Sequence, residues 1–218
     1  MTALLIKDWK LFKNQGRYFF TILAIAMAIL IVGSEEYAIF ATSYTTFLVA
    51  YFALGTISYD DYDNGMSFLM ALPVTRRIYV SEKYLLAVLL TAGAWIFSIG
   101  INCLFFGSGA SKEFLWEMLC TEPVFLMTVF IFLSISLPLF LKFGPEKGRM
   151  ISFGILGAAA LTIFILAKMK IGLSEIKALD KNLTGQPLTV WGTSMALSVL
   201  IVLISYMVSV KLIEKKEF

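Results

Sequence analysis

Residues Ser58 to Leu86 read SYDDYDNGMSFLMALPVTRRIYVSEKYLL and form the long charged stretch between two apolar runs of the chain. Asp60, Asp61 and Asp63 lead into Asn64 and Gly65, a turn-prone pair, after which Met66, Leu69, Met70 and Pro73 recur at i, i+3, i+4 and i+7. Acidic residues favour a helix N-terminus and proline ends a helix, so the spacing predicts a short amphipathic helix of about two turns. Its apolar side carries methionine, leucine and Phe68, flexible groups suited to a groove, and an apolar face outside the membrane asks for a partner. Thr75 is placed to cap a second helix, in which Arg76 and Arg77 lie at the membrane surface before Tyr84 enters the bilayer. The plainer reading is a solvated loop held by Asp to Arg pairs, and the apolar content of the segment weighs against it.

On both sides of this stretch the chain reads as membrane. Of 218 residues 59% are hydrophobic and 15% charged, and the mean hydropathy is +0.85, well outside the range of an average soluble domain. About 20 helical residues cross a hydrocarbon layer of roughly 30 Å. The apolar runs therefore predict an all-α membrane protein of one domain, with six transmembrane helices at about 18–34, 37–58, 84–106, 120–141, 150–168 and 190–210, and a charged loop over 59–83. The first and fifth spans are short and lean on flanking Tyr, Trp or Lys. The charge-free cores of these runs predict no charged residue inside any span. A carrier driven by protons or ions usually holds an Asp, Glu or His within the bilayer, so that class recedes.

Orientation follows from the cationic residues, which stay on the cytoplasmic side. With the N-terminus inside, 13 of the 18 Lys and Arg residues fall in cytoplasmic segments; Lys112, Lys168, Lys170, Lys177 and Lys181 fall outside. Both termini are thus expected in the cytoplasm. The net charge of +3 reports this topology, and no basic patch interleaved with aromatics points to nucleic acid. Within residues 1–17, Leu4, Leu5, Trp9, Leu11 and Phe12 fill one arc of a helical wheel and Lys7, Lys10, Lys13 and Arg17 the opposite one, with Asp8 alone on the wrong side. This predicts an interfacial helix, its lysines toward anionic lipid, that turns the chain into the first span as an elbow. A cleaved signal peptide fits less well, because 17 residues are long for an n-region. Cys103 and Cys120 near the outer ends of spans three and four read as isolated apolar cysteines, and no disulfide is inferred.

Two small-residue stripes stand out. Thr42, Thr45, Thr46, Val49, Ala53 and Thr56, with Tyr44 and Tyr51 nearby, form a hydroxyl-bearing stripe in the second span, equally readable as a dimer seam or a substrate wall. Gly154, Gly157 and Ala158 in the fifth read as close helix packing. Leu173, Ile176, Leu179 and Leu183 are spaced for a short surface helix in the longest outer connection, with a polar loop equally open. A wall rich in Phe and Tyr suits an amphipathic or lipid-like molecule.

No enzyme chemistry is written in the chain. Glu35-Glu36 and Gly107-Ser108-Gly109 superficially suggest an intramembrane protease, but there is no histidine, so serine or metal chemistry leaning on imidazole is excluded. No GxxxxGK[ST] loop occurs and no connection is long enough for a nucleotide-binding domain, so any ATPase is a separate chain.

The acidic run with Asn64-Gly65, then Leu72-Pro73-Val74-Thr75-Arg76 and Ser81, Lys83 and Tyr84, placed between spans two and three of six, resembles the membrane subunits of ABC-2 type exporters. The chain is most similar in look to compact Gram-positive permeases that export peptides, confer bacteriocin immunity or export phenol-soluble modulins. The resemblance implies a bacterial cell-membrane permease that works as a homo- or heterodimer, with an elbow helix and a coupling helix in the loop after span two. It implies a separate ABC ATPase in two copies holding ATP and Mg, and no cofactor in this chain. Asp61, Asp63, Asn64, Met66, Phe68 and Leu69 would dock in that ATPase with Arg76 and Arg77 behind them. Two other readings stay open: an immunity or sensory subunit that extracts toxic peptides without secreting them, and an ATP-independent membrane assembly protein.

Overall fold

The computed structural model describes residues 2–33, 36–62, 65–71, 74–106, 112–168 and 187–215, and these are helical nearly throughout. In chain order they form α1 (Thr2–Asn14), α2 (Gly16–Val32), α3 (Glu36–Asp61), α4 (Gly65–Ala71), α5 (Arg76–Phe106), α6 (Lys112–Phe143), α7 (Pro145–Lys168) and α8 (Pro187–Glu214). Five of them, α3 and α5 to α8, are long and apolar enough to cross a membrane. Helix α2 has 17 residues and reaches that length only together with α1, to which it is joined by a 59° bend at Gln15. The chain is therefore a multi-pass membrane protein, with five candidate spans among the described residues, or six when the bent pair counts as one. Asp63, Asn64, Leu72 and Pro73, the Gly107 to Gly109 run and the expected outer helix at Leu173 to Leu183 lie outside the described residues.

Helix α3 is the hub. It packs against α2, α5 and α6, while α8 lies along α6 and α5. The apolar α3 runs straight into Tyr59, Asp60 and Asp61, so its last turn leaves the apolar layer without a break. Gly65 then sits where an added Cβ would fall 2.7 Å from the Asp60 carbonyl oxygen, an approach that only glycine permits. Thr75 caps α5 as its position predicts: its hydroxyl accepts from the Ile78 N–H at 3.3 Å. Helices α5 and α6 are 31 and 32 residues long, about 46–48 Å, so both overrun the hydrocarbon layer. Between α6 and α7 the turn is made by Gly144 at φ +81°, the left-handed conformation glycine adopts without strain. Its N–H donates to the Phe140 carbonyl at 3.0 Å, closing the end of α6.

The α6 to α8 seam shows how a membrane interior handles proline. Pro138 has no N–H to give to the carbonyl four residues back, that of Ser134. The Ser205 hydroxyl of α8 donates to that carbonyl at 2.5 Å, and with Ser209 it also meets the buried Tyr84 hydroxyl of α5, at 2.6 and 2.7 Å. Lipid offers no water, so a freed carbonyl must find such a donor. We expect Ser205→Ala to destabilise the protein by about 1 kcal/mol and Pro138→Ala, which restores the backbone donor, to reduce that loss. A double-mutant cycle of melts in detergent checks this; additive losses would contradict it.

The fold departs from three expectations. The spans are not free of charge: Glu122 lies within α6 and is 1% exposed, hidden from a count of charge-free runs because it sits one residue before Pro123. Within the stripe of α3, readable as a dimer seam or a substrate wall, Thr42, Thr46 and Thr56 are almost wholly buried by this chain's own helices, which leaves no surface for a seam at those positions. The stripe of Gly154, Gly157 and Ala158 does not pack among the described residues; it is exposed, and nothing approaches the Cβ positions of Gly154 and Gly157 within 4 Å. Cys103 is exposed and Cys120 buried, and both are free thiols.

Candidate functional site: the charged end of the bundle

At the end of the bundle where α3, α4 and α5 meet, Lys83 stands at the centre of a group of five charged side chains. Its ammonium group, 1% exposed, lies 2.5 Å from Asp8 Oδ2 of α1 and 2.7 Å from Asp60 Oδ2 of α3, and it donates to the Thr56 hydroxyl at 3.1 Å. Lys7 of α1 also pairs with Asp60. The Tyr79 hydroxyl, fully buried, donates to Asp60 Oδ2 at 3.1 Å. Glu82, also fully buried, stands 3.7 Å from the same ammonium, with the Asp8 carboxyl beside its own. Three carboxyl groups thus share two ammonium groups at one junction of α1, α3 and α5.

This junction explains the anomaly of the N-terminal wheel. Asp8 is out of place on an interfacial helix because it is not at the interface; it is 1% exposed and faces inward to Lys83. An ion pair in a dry site costs desolvation on both partners and is held only where geometry and further hydrogen bonds are good. Here it welds the N-terminal helix to the helices that carry α4.

Helix α4 lies beside the junction. Met66 and Leu69, 4% and 8% exposed, pack into the main hydrophobic core with Leu54, Ile57, Tyr79 and Val80. The expectation of an open Met66–Leu69 face is therefore corrected: the i, i+3 pair faces the chain's own core, as such pairs on an amphipathic helix do. Phe68 points the other way and is 72% exposed. Asp61 is half-buried and lines a polar cleft with Tyr62 and with Glu146, Lys147 and Arg149 at the start of α7. This brings the second charged connection to the same end of the molecule.

Arg76 and Arg77 stand at the start of α5 but face the C-terminal end of α8. Arg76 donates to the carbonyls of Ile213 and Glu214 at 3.2 and 2.7 Å, the orphan acceptors of a helix terminus. Arg77 pairs with the Glu214 carboxylate at 2.6 Å. The solvated-loop reading has Asp to Arg pairs; among the described residues Arg77 pairs with Glu214 of α8.

A second polar centre lies deeper. Glu122 Oε2 accepts the Trp95 indole N–H at 3.1 Å, with Thr42 beside it, and Asn102 of α5 donates to the Thr42 hydroxyl at 2.7 Å and to the Ala38 carbonyl at 3.1 Å. No lysine or arginine pairs with Glu122 among the described residues. This centre ties α3, α5 and α6 together. Of the other positions singled out in α3, Tyr44 is half-buried, Tyr51 packs on Phe153 of α7 at 5.6 Å, and Thr45 lines an apolar groove between α2 and α5.

The residues alone display the charged stretch but not its partners. Asp8 is the one available signal, a charge on the wrong side of its wheel. Glu82 and Glu122 offer none, since burial of a single carboxyl depends on helices distant in sequence. A family model described as ABC-2 family transporter protein matches residues 3–214. No curated protein and no solved structure matches the chain.

Proposed function

The chain belongs to the ABC-2 transporter family, and from that premise we propose that it is the permease subunit of an ABC exporter for an amphipathic substrate such as a peptide. ATP and Mg are held by a separate ATPase, two copies of which serve a pair of permeases in a bacterial cell membrane. In this reading α1 is the elbow, α4 the coupling helix, and both termini are cytoplasmic. The observation that carries it is the two-sidedness of α4: Met66 and Leu69 are fixed in the core while Phe68 projects from it. A push on Phe68 would reach α3 and α5 through packed side chains and α1 through the Lys83 junction, instead of being lost in a loop. Asp61, Asp63 and Asn64 flank the same helix in sequence, with Arg76 and Arg77 holding α5 to the end of α8. The open Gly154 and Gly157 face of α7 offers a second permease a close approach.

ATP binding would draw the two ATPases together and move α4, shifting the pair between inward-open and outward-open states. Nucleotide drives this only through its different affinity for the two. The test is copurification. A tagged chain extracted in mild detergent is expected to bring down an ATPase subunit. Phe68→Asp is expected to weaken that capture about 100-fold, the scale of an interface hot spot of about 2–3 kcal/mol, while inserting and melting like the wild type. An ATPase that stays bound to the Phe68→Asp chain would reject α4 as the docking element. No ATPase with either chain would return the protein to the class of ATP-independent membrane assembly proteins.

A further inference from the structure

We propose that the groove between α2 and α5 is a binding site for one anionic phospholipid, an acyl chain lying in the groove and the phosphate resting on Lys13 and Arg17. The groove has Thr45 and Val49 of α3 as its floor and is walled by Phe20 of α2 and Phe97 of α5. Its lining is almost wholly apolar, and it is closed at one end by Phe12 and Gly16, where the chain bends by 59°. Lys13 directly follows Phe12 and Arg17 directly follows Gly16. Both are exposed, and neither takes part in an ion pair among the described residues. The cations of the charged-end junction are satisfied by buried carboxylates; these two, next in sequence to the residues that close the slot, have no such partner among the described residues.

An acyl chain gains little by moving from lipid into a protein groove, since both are hydrocarbon. Selectivity must come from the headgroup, and two exposed cations at the bend that closes the groove favour a net negative one over a zwitterion. The arrangement does not depend on how the protein is powered.

Gly93 of α5 gives a clean probe, because it lines the groove and nothing lies within 4 Å of its Cβ position. Gly93→Phe thus adds its Cβ without a clash and places a ring in the slot. The purified full chain is delipidated and offered phosphatidylglycerol or phosphatidylcholine with matched oleoyl chains, and retained lipid is counted by native mass spectrometry. One phosphatidylglycerol per chain is expected, preferred over phosphatidylcholine by roughly 30-fold. Lys13→Gln with Arg17→Gln should erase the preference, and Gly93→Phe should remove the bound lipid while both variants elute as the wild type does. Equal retention of the two lipids, or unchanged phosphatidylglycerol in the Gly93→Phe chain, would overturn the site. Conversion of a dimer to a monomer by Gly93→Phe would overturn it too, by assigning the groove to a second copy.

Discussion

Lys83→Met is expected to destabilise the protein by about 3–5 kcal/mol, because it leaves the carboxylates of Asp8 and Asp60 buried against each other with only Lys7 to answer them. The loss should show as a large drop in melting temperature in detergent and as poor accumulation in membranes. Much of that cost belongs to the stranded charges and not to the pair itself. Removing the two stranded charges with Asp8→Asn and Asp60→Asn in the Lys83→Met chain, which leaves only the part-exposed Lys7, is therefore expected to recover a large part of it. The direction of the rescue separates an electrostatic junction from simple packing. A methionine is close in size to the lysine stem, so a packing role would leave the single variant near wild type and give the asparagines nothing to repair. A Lys83→Met chain with the wild-type melting temperature would show that the junction does not hold α1 to α3 and α5.

The second large effect is expected at Glu122. Glu122→Ala removes the acceptor of the buried Trp95 N–H and leaves a void between α3, α5 and α6, a loss of about 2–4 kcal/mol when the unsatisfied donor and the missing side chain are taken together. Glu122→Gln keeps an oxygen in place for the indole and carries no charge. With no cation paired to the carboxyl among the described residues, the glutamine variant should melt within about 1 kcal/mol of the wild type. Thermal melts of the two variants side by side check both statements. A glutamine variant as unstable as the alanine one would mean that the charge, and with it an unseen counter-ion, is needed. The class of ion-coupled carriers, which recedes when the spans are read as free of charge, would then return.

These two sites also mark where the sequence stops being legible. Helix periodicity and apolar run length depend on near neighbours, so the α3 to α4 break at Gly65, the Thr75 cap, the short α4 and the long apolar helices can all be read from the residues themselves. Which side of α4 faces inward cannot, because Met66, Leu69 and Phe68 are all apolar, and only the position of α3 and α5 decides between them. The same holds for the threonines of α3. Thr42 and Thr45 donate to carbonyls one turn back within their own helix, and hydroxyl density alone does not tell a seam from a packed core. Lys83 is visible as part of a motif, yet its partner Asp8 lies 75 positions away. The Gly154 stripe turns outward for a related reason: small residues permit a close approach, and no described helix of this chain makes use of it.

Helix α4 faces its own bundle on one side and, in the proposed function, an ATPase on the other, and a photoreactive benzophenone placed at single positions of α4 in living cells tests this most directly. With the probe in place of Phe68, 72% exposed, one covalent adduct with an ABC ATPase is expected; with the probe in place of Met66, 4% exposed, none is expected. Adducts from position 68 with lipid alone, or an ATPase adduct of equal yield from position 66, would contradict it.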